Sequence, residues 1–422
     1  MSVRESIRSL PGRLEKKFSK KREASSLIYE DVDGVRAHRS SDDTKTDTNE
    51  RSLTTGIPDG SILVVGSVNM DYISLVRSHA ELNRHVLAKS LIKMPGGHGL
   101  NQAIACIRMS HYRPDEPLAP DRPLTPHDID LSVKIVAMVG ESGGQEQTIR
   151  NKLRSHGIDI THLGRVDDDT GSAHISVDPF GHSKVESYPG ANSYLRPENI
   201  PDFHPPPDLV LVQLEIPVDT AQRVVEMARA QNPPVPVIFN PAPDSVEVPE
   251  DLWEVDHVIM NAGRADVHCE GRKERKLGPG KAAQNMGAGS RSPEEYWEDC
   301  EHFHELGARC VVITLGQNGA IASVREKARK NRPRKMYSGA LVAPSPSKTR
   351  DTTGASDAFI GAYAVEILRQ MKCHEEEDIS RAMEMGIKAG GLTISDIGSM
   401  ESIPWRLDVL ETDFDGVDNS GE

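Results

Sequence analysis

The chain has 422 residues and a formal net charge of −14, and aromatic residues make up only 4% of it. This length suffices for one large or two ordinary domains, whereas the acidic balance and low aromatic content argue against a nucleic-acid-binding surface. Five scattered cysteines without paired metal-binding spacing are typical of reduced thiols in an intracellular protein. No apolar run approaches the roughly 20 residues of a membrane span. We expect a cytoplasmic protein without nucleic-acid or membrane partners, with the nucleus as a second candidate compartment.

The N-terminal part of the chain differs in composition from the rest. Residues 1–22 are rich in Lys and Arg and carry apolar residues at helical spacing, which a transit peptide would also show. Interspersed glutamates favour a basic, partly helical tail instead. Residues 39–56 have almost nothing to bury, which predicts disorder. We expect a disordered extension over 1–58, a folded domain over 59–413 and a disordered tail over 414–422.

A short apolar run at Ser61–Val65, bounded by glycines, predicts the first buried strand. It leads to Asn69, Met70 and Asp71. Ligands bind at the carboxyl ends of the strands in an open α/β sheet. An amide and a carboxylate there are suited to neighbouring hydroxyl groups of a sugar. An ordinary turn built on Asn and Asp is the alternative interpretation.

A glycine-rich turn containing Gly97, His98 and Gly99 comes next and is followed by Asn101 and a predicted apolar helix over Ala103–Met109. Glycines allow the backbone to approach a ligand closely, and a helix N-terminus favours anions. A single turn of this kind is weak evidence by itself. Together with the polar pair before it, the turn indicates one wall of a ligand site.

The stretch 351–363 begins as a polar loop and becomes an apolar-periodic helix. The N–H groups of Gly354, Ala355 and Ser356 would be free at its start and suited to the charge of a transferring phosphoryl group. Asp357 would then be placed to accept a proton from a substrate hydroxyl. The alternative is an Asp that caps an ordinary helix.

Further apolar runs alternate with helical segments and end in polar residues. A strand over Leu209–Leu214 leads to Glu215, another ends at Asn261, and a strand over Cys310–Ile313 leads to the turn at 314–319. A hairpin with alternating residues is predicted about Gly181. This alternation of strands and helices predicts an α/β fold with a parallel sheet.

Six motifs of the chain, taken in order, resemble those of the ribokinase-like carbohydrate kinases. They are Asn-x-Asp (69–71), the glycine-rich turn (96–103), Pro-Gly-Ala-Asn (189–192), Asn-Pro-Ala-Pro (240–243), Thr-x-Gly-x-x-Gly (314–319) and Asp-Thr-Thr-Gly-Ala-Ser-Asp (351–357). The resemblance implies a ribokinase-like three-layer sandwich with a central, mostly parallel sheet. It also implies a small β lid over about 70–97 and 170–191, and a homodimer formed through that lid.

The resemblance further implies phosphorylation of a sugar by ATP, most like that of D-ribose at its primary hydroxyl. Asp357 would be the base, and Gly354, Ala355 and Ser356 would stabilise the phosphoryl group. Sugar contacts are implied for Asn69, Met70, Asp71, Gly97, His98, Gly99, Asn101, Glu215 and Asp357. Nucleotide contacts are implied for Asn261, Thr314, Leu315, Gly316, Gln317, Asn318, Gly319 and Ser356. Mg²⁺ would accompany ATP, and K⁺ would be held by Asp351, Thr353, Thr393, Asp396, Gly398 and Ser402.

The chain departs from the family pattern at two positions and in one insert. His98 stands where the family has a lysine, and a histidine is mostly neutral at pH 7. Arg264 stands where the family has a glutamate that helps to organise phosphate and magnesium, and either Asp266 or Arg264 itself could compensate. Residues 268–292 predict a mobile insert. These departures keep two alternatives open: a kinase of another sugar or nucleoside, and a weakened sugar or nucleotide sensor.

Overall fold

The computed structural model describes residues 59–111, 113, 130–273, 291–325, 335–339 and 349–412. The predicted N-terminal extension and C-terminal tail, and residues 274–290 of the predicted insert, lie outside the described residues. Within them, no helix is both long and apolar enough to cross a membrane. The first described strand begins at Asp59, where the folded domain was predicted to start.

The strands and helices follow one another as the alternating pattern predicted. The strands are β1 (Asp59–Val65), β2 (Asn69–Leu75), β3 (Ser90–Gly96), β4 (Asp130–Gly140), β5 (Asp159–Val166), β6 (Gly171–Val177), β7 (Ser183–Tyr188), β8 (Leu209–Gln213), β9 (Val237–Asn240), β10 (His257–Asn261), β11 (Cys310–Thr314), β12 (Ala320–Val324) and β13 (Lys335–Gly339). The helices are α1 (His98–Ser110), α2 (Gln145–Ser155), α3 (Val218–Arg229), α4 (Ala262–Lys273), α5 (Trp297–Glu305), α6 (Ala355–Lys372), α7 (Ile379–Thr393) and α8 (Arg406–Glu411).

A nine-stranded sheet forms the centre, in the order β13-β12-β11-β10-β9-β8-β1-β4-β5. Its pairs are parallel from β11 through β5, whereas β12 is antiparallel to both of its neighbours. Both faces of the sheet are covered, so its central strands are continuous apolar runs and not alternating ones. In β1, Ile62 and Val64 pack on the side of α1 and α6, while Leu63 and Val65 pack on the side of α3 and α5. The fold is therefore the predicted three-layer α/β sandwich with a mostly parallel sheet.

A second sheet of four strands, in the order β3-β2-β6-β7, forms the predicted lid. Its strand β2 begins directly after the turn that ends β1, so Asn69 and Asp71 lie where the chain passes from one sheet to the other. Ile73, Ile175 and Val177 form an apolar inner face, against which Ile397 packs. The outer strand β7 is largely exposed. The homodimer expected through this lid stays a prediction.

Two predicted boundaries were wrong. Helix α1 begins at His98 and not at Ala103, because Gly97 (φ 93°) ends the preceding strand and the polar residues that follow already form the first turns. The predicted insert was placed too early, because α4 continues through residues 268–273. Within this stretch, Cys269 is buried on the α3 and α5 side of the sheet.

The C-terminal end of α1 holds the last loop of the domain in place. The Arg108 guanidinium is buried and donates from Nη1 to the carbonyl oxygens of Met400 (3.0 Å) and Ile403 (2.6 Å). Its face also lies over the Trp405 ring, with the guanidinium carbon 5.5 Å from the ring centroid. A charge-assisted bond to backbone oxygen is stronger than a neutral one. Arg108 therefore fixes the loop that follows α7 against the helix that carries the glycine-rich turn.

Candidate active site

The N-termini of α1 and α6 meet above the carboxyl ends of the central strands, and Asp357 lies between them. Asp357 is in the first turn of α6 and is only 2% exposed. Its Oδ1 accepts hydrogen bonds from His98 Nδ1 (2.9 Å) and Gln102 Nε2 (3.0 Å), and its Oδ2 accepts one from Asn101 Nδ2 (3.0 Å). The three donors hold the carboxylate in one orientation. A buried, oriented carboxylate at a helix N-terminus is suited to accepting a proton from a bound hydroxyl group.

His98 carries a positive charge at neutral pH in this environment, contrary to the expectation of a neutral side chain. Burial disfavours the charge, but the carboxylates of Asp357 and Glu215 and the hydrogen bond to Asp357 outweigh it. Together they raise the pKa of His98 from 6.5 to about 9. The position that carries lysine in the family pattern is thus still cationic, although the charge is now paired with Asp357.

Asp71 contributes a buried carboxylate with an unused acceptor. Its Oδ2 accepts a hydrogen bond from Ser399 Oγ (2.8 Å), while its Oδ1 is buried and has no partner among the described residues. Burial is the main reason that the pKa of Asp71 rises from 3.8 to about 7, and the Ser399 hydrogen bond partly opposes the rise. Nearby Asn101 Oδ1 is likewise buried without a partner. Buried polar atoms are rarely left unpaired, so these two acceptors indicate a site for a ligand with hydroxyl donors.

Glu215 and Asn69 complete the wall of the site on the β1 and β8 side. The Glu215 carboxylate accepts hydrogen bonds from Ser67 Oγ (2.5 Å), from the His98 backbone N–H (3.3 Å) and, at 3.5 Å, from Asn69 Nδ2. Asn69 Oδ1 in turn accepts a bond from Asn192 Nδ2 (2.7 Å). The structural role of the Pro-Gly-Ala-Asn motif is therefore that its Asn192 orients Asn69.

The glycine-rich turn places α1 against the turn after β1. A Cβ atom on Gly99 would lie 2.7 Å from the Gly66 carbonyl carbon and 2.8 Å from the backbone nitrogen of Ser67. Only glycine permits this approach. The Met70 side chain, in contrast, belongs to the apolar core beside α1. Of the predicted sugar-side residues, Met70 is therefore the one whose side chain does not join the polar cluster.

The loop before α6 is shaped by Gly354, which caps the helix with φ 82°. A Cβ atom on Gly354 would lie 2.5 Å from the Ser399 carbonyl oxygen, so the position requires glycine for two reasons. Ser356 lies within the helix and has no positive φ, so a serine is tolerated there. The Ala355 N–H makes only a long contact of 3.4 Å with the Thr352 carbonyl oxygen. The start of α6 thus offers N–H groups and a helix dipole to an anion.

The predicted nucleotide residues lie together at the ends of β10 and β11, except Ser356, which lies in the first turn of α6. Asn261 and Thr314 are direct partners in the parallel register of these strands. The Leu315 N–H donates to the Gly319 carbonyl oxygen (2.7 Å) and closes the turn, in which Gly316 has φ 58°. A Cβ atom on Gly316 would meet nothing within 4 Å. The turn is therefore open on one side, as the approach of a flat ligand requires.

Residues predicted to hold K⁺ come from two loops that face each other. Asp351 is fully buried and accepts bonds from the N–H groups of Thr353 (2.9 Å) and Gly398 (3.0 Å). Ser402 Oγ donates to the Gly398 carbonyl oxygen (2.5 Å), and Thr353 Oγ1 is buried without a partner. Thr393 ends α7, and Asp396 lies in the loop that follows, where its N–H contacts the Thr393 carbonyl oxygen (3.4 Å). The oxygen donors of this region are of the kind that a monovalent cation binds.

A protein-held Mg²⁺ does not fit the start of α4. The residue three positions after Asn261 is Arg264, whose Nε donates to Asp244 Oδ1 (2.8 Å). Asp266, which could have compensated, is bound to Arg291 Nη1 at 2.8 Å. Within the described ranges, no group of three His, Cys, Asp or Glu residues could hold a metal. Magnesium would therefore have to arrive with the phosphates of a nucleotide.

Four residues of the cluster were not predicted as site residues: Ser67, Gln102, Asn192 and Ser399. Gln102 and Asn192 lie inside motifs that carry the resemblance, so their motif membership was a usable signal. Ser399 gave no local signal, because its contact with Asp71 joins residues that are 328 positions apart.

Comparisons with known proteins agree with this geometry. A bifunctional ribokinase/ribose-5-phosphate isomerase A of Fructilactobacillus sanfranciscensis is 27% identical over 83% of this chain and 55% of that protein, so the chain spans about half of its length. The ribokinase of Haemophilus influenzae is 25% identical over 83% of this chain and 97% of that enzyme. A deoxyribokinase of Salmonella typhi is 23% identical over 81% of this chain and 95% of that enzyme.

Solved structures share the fold. The ribokinase of Giardia lamblia has a TM-score of 0.64 at 23% identity, covering 83% of this chain and 98% of its own. The Arabidopsis thaliana ribokinase complexed with ribose and ATP has a TM-score of 0.60 at 21% identity, covering 84% and 98%. A nucleoside kinase of Methanocaldococcus jannaschii has a TM-score of 0.57 at 17% identity, covering 84% and 98%.

A match to a whole family supports the same conclusion. The profile of the pfkB family carbohydrate kinases matches residues 59–406, which span both sheets and all of the clusters described above. The chain therefore belongs to the pfkB family of carbohydrate kinases and is a sugar or nucleoside kinase that transfers a phosphoryl group to an alcohol.

Proposed function

We propose that the chain uses ATP to phosphorylate D-ribose at its primary hydroxyl group, giving ribose 5-phosphate. The observation that carries this proposal is the position of Asp357. It is a buried carboxylate at the start of α6, held by three side-chain donors from α1 and lying beside two buried acceptors without partners. A base, an anion-binding helix start and hydroxyl acceptors are the parts that phosphoryl transfer to a sugar requires.

Sugar binding relies on acceptors that the protein leaves open. Asp71 Oδ1 and Asn101 Oδ1 accept hydrogen bonds from hydroxyl groups of the sugar, and their pairing removes the cost of two buried, unsatisfied atoms. The lid strand β2, which carries Asp71 and is held in place by Ile73, covers the sugar and excludes water in this proposal. Curated relatives named ribokinase and the ribose complex of the Arabidopsis structure support ribose as the substrate.

The proposed phosphoryl transfer uses the start of α6. The primary hydroxyl gives its proton to a carboxylate oxygen of Asp357, and its oxygen forms a bond to the γ-phosphorus of ATP. The bond between that phosphorus and the oxygen bridging to the β-phosphate breaks, and ADP leaves. The N–H groups of Gly354, Ala355 and Ser356 stabilise the charge on the transferring group. Charged His98 orients the Asp357 carboxylate through the 2.9 Å hydrogen bond from its Nδ1.

Metal ions have separate places in this proposal. Mg²⁺ accompanies the nucleotide and neutralises phosphate charge. Oxygen atoms of Asp351, Thr353, Thr393, Asp396, Gly398 and Ser402 would hold K⁺. Its support is the buried Asp351 carboxylate and the unpaired Thr353 Oγ1. When bound, K⁺ places a positive charge beside the loop that leads into the start of α6.

Two other functions have specific support. Deoxyribokinase and nucleoside kinase relatives favour a kinase of another sugar or of a nucleoside. The substitutions His98 and Arg264 favour a sensor that binds ligands without turnover. The charge on His98 weakens the second alternative, because it returns a cation to the position where the family pattern has lysine.

The test is release of ADP by the full-length protein with ATP, Mg²⁺ and K⁺, using ribose, 2-deoxyribose and nucleosides in parallel. Ribose-dependent release that Asp357→Asn reduces about 10²- to 10⁴-fold, with ribose binding retained, supports the proposal. Release that depends on another acceptor refutes ribose as the substrate. Binding of sugar and ATP without turnover supports the sensor.

A further inference from the structure

Arg264 occupies a central position that the proposed mechanism does not use. It lies in the first turn of α4, directly after β10, and its backbone N–H donates to Asn261 Oδ1 (2.9 Å). Asn261 is paired in register with Thr314, the first residue of the predicted nucleotide turn. The backbone of Arg264 is thus fixed at the carboxyl edge of the sheet, beside the residues assigned to the nucleotide.

The guanidinium group of Arg264 is held but not fully paired. Its Nε donates to Asp244 Oδ1 at 2.8 Å, and its side chain is 11% exposed. Its Nη1 is buried and has no hydrogen-bond partner in the part of the chain that the structure describes. A buried donor on a charged group is costly to leave unpaired, so such donors in folded proteins are usually matched by a ligand, an ion or water.

Arg264 also shares an environment with the catalytic cluster. The charges of Arg264 and His98 repel each other, which is one of the influences on His98, and His98 in turn contacts Asp357 at 2.9 Å. His98 has Asp357 and Glu215 as carboxylate neighbours, and Arg264 has Asp244. The feature that indicates an anionic ligand is therefore the buried Nη1 donor of Arg264, which has no partner among the described residues.

The chemistry of arginine fits that ligand. A guanidinium group presents several donors in a planar fork, matches phosphate oxygens two at a time and stays charged at every physiological pH. In phosphoryl transfer, an arginine that neutralises the developing charge raises the rate greatly. The family pattern has a glutamate at this position, which serves phosphate through magnesium. Arg264 reverses that charge.

We propose that Arg264 binds the phosphate chain of ATP directly, through Nη1, in place of a carboxylate that would act through magnesium. This inference rests on the proposed function, because it takes the ligand at the ends of β10 and β11 to be the nucleotide that donates the phosphoryl group. The inference predicts that ATP affinity depends on Arg264. It also predicts that ATP affinity depends less on Mg²⁺ than it would if a carboxylate stood at this position.

The test is equilibrium binding of ATP, ADP and AMP to the full-length protein by calorimetry, without sugar, in Mg²⁺ and again in EDTA. For Arg264→Ala we expect ATP affinity to fall about 10- to 100-fold, the range of a charge-assisted pair, while AMP affinity changes less than about twofold. In EDTA the unmodified protein should retain ATP binding and the variant should lose it. Arg264→Lys, which keeps the charge but not the fork, should lie between the two.

Asp244→Asn is the matched control, because it breaks the ion pair with Arg264 and leaves the guanidinium group in place. If Arg264 were only structural, both variants would lower thermal stability and weaken ATP and AMP binding equally, which would overturn the inference. Unchanged ATP binding in Arg264→Ala would also overturn it. If Arg264→Ala does not fold, the comparison is made with Arg264→Lys and Arg264→Gln.

Failure of the inference is distinguishable from failure of the proposed function. Binding of nucleotides requires no turnover, so a protein that phosphorylates no sugar can still show ATP affinity that depends on Arg264. Conversely, ribose phosphorylation that survives Arg264→Ala with an unchanged KM for ATP would keep the proposed function and exclude this role of Arg264.

Discussion

A single substitution of Asp71 should raise the stability of the protein and weaken its binding of sugar. Burial raises its pKa from 3.8 to about 7, because the folded protein disfavours the charged carboxylate. One pKa unit corresponds to about 1.4 kcal/mol, so a shift of roughly three units destabilises the folded state by about 4 kcal/mol well above pH 7. Since folding raises this pKa, the protonated Asp71 side chain carries no such penalty below pH 3.8, and the folded state loses stability as the pH rises through about 7.

Asp71→Asn should therefore be more stable than the unmodified protein at pH 8, by up to about 4 kcal/mol, because an amide cannot ionise. The difference should shrink as the pH falls and should vanish near pH 4. Denaturant unfolding at a series of pH values measures it. Asp202→Asn, the same chemical change on an exposed residue, is the control and should show no such trend.

The same variant should bind ribose at least tenfold more weakly, because its amide can no longer offer a charged acceptor at the position of Asp71 Oδ1. Isothermal calorimetry at pH 8 measures this loss. A constant stability difference between pH 4 and 9 would refute the desolvation of Asp71. Unchanged ribose affinity would refute its role as the acceptor.

Two further predictions concern the neighbours of the reacting groups. Ser399→Ala should raise the sugar KM several-fold with little change in kcat, since it frees Asp71 to rotate. The Ser399 hydrogen bond lowers the pKa of Asp71, so its removal should raise that pKa and move the acidic limb of kcat/KM to higher pH. An unmoved limb would make Ser399 merely structural. His98 should lose its charge, and the enzyme its activity, as the pH rises through about 9. His98→Lys should extend activity to higher pH, which a pH–rate profile measures. If the variant and the unmodified protein had the same alkaline limb, the role given to the charge of His98 would be contradicted.

The architecture was predictable from local sequence because the central sheet is buried on both faces. A continuous apolar run such as Leu209–Gln213 has apolar residues on both faces of the strand, which indicates a strand buried on both sides. Each of these runs ends in a polar residue at the edge of the sheet where ligands bind. The start of α1 was missed for a related reason. Asn101 and Gln102 are polar because they face Asp357, and an apolar pattern cannot detect helical turns that face a site.

The electrostatics of the site were not predictable from the sequence. The charge of His98 depends on Asp357, which is 259 positions away, and on Glu215, which is 117 positions away. Asp71 is likewise perturbed by burial under the lid and by Ser399. Motifs identified which residues meet, but a pKa depends on distances and desolvation that exist only in the folded chain.

The anchoring of the last loop by Arg108 bears on how the enzyme is made in the cell. Domains form as the chain leaves the ribosome, but the carbonyl oxygens of Met400 and Ile403 that accept from Arg108 Nη1 are synthesised almost 300 residues after α1. Until then, a buried guanidinium group opposes the docking of α1. Asp357 and Ser399 also arrive late in synthesis. A nascent or truncated chain that ends before Ile403 therefore lacks the complete site, and the kinase can consume ATP only once this loop has emerged.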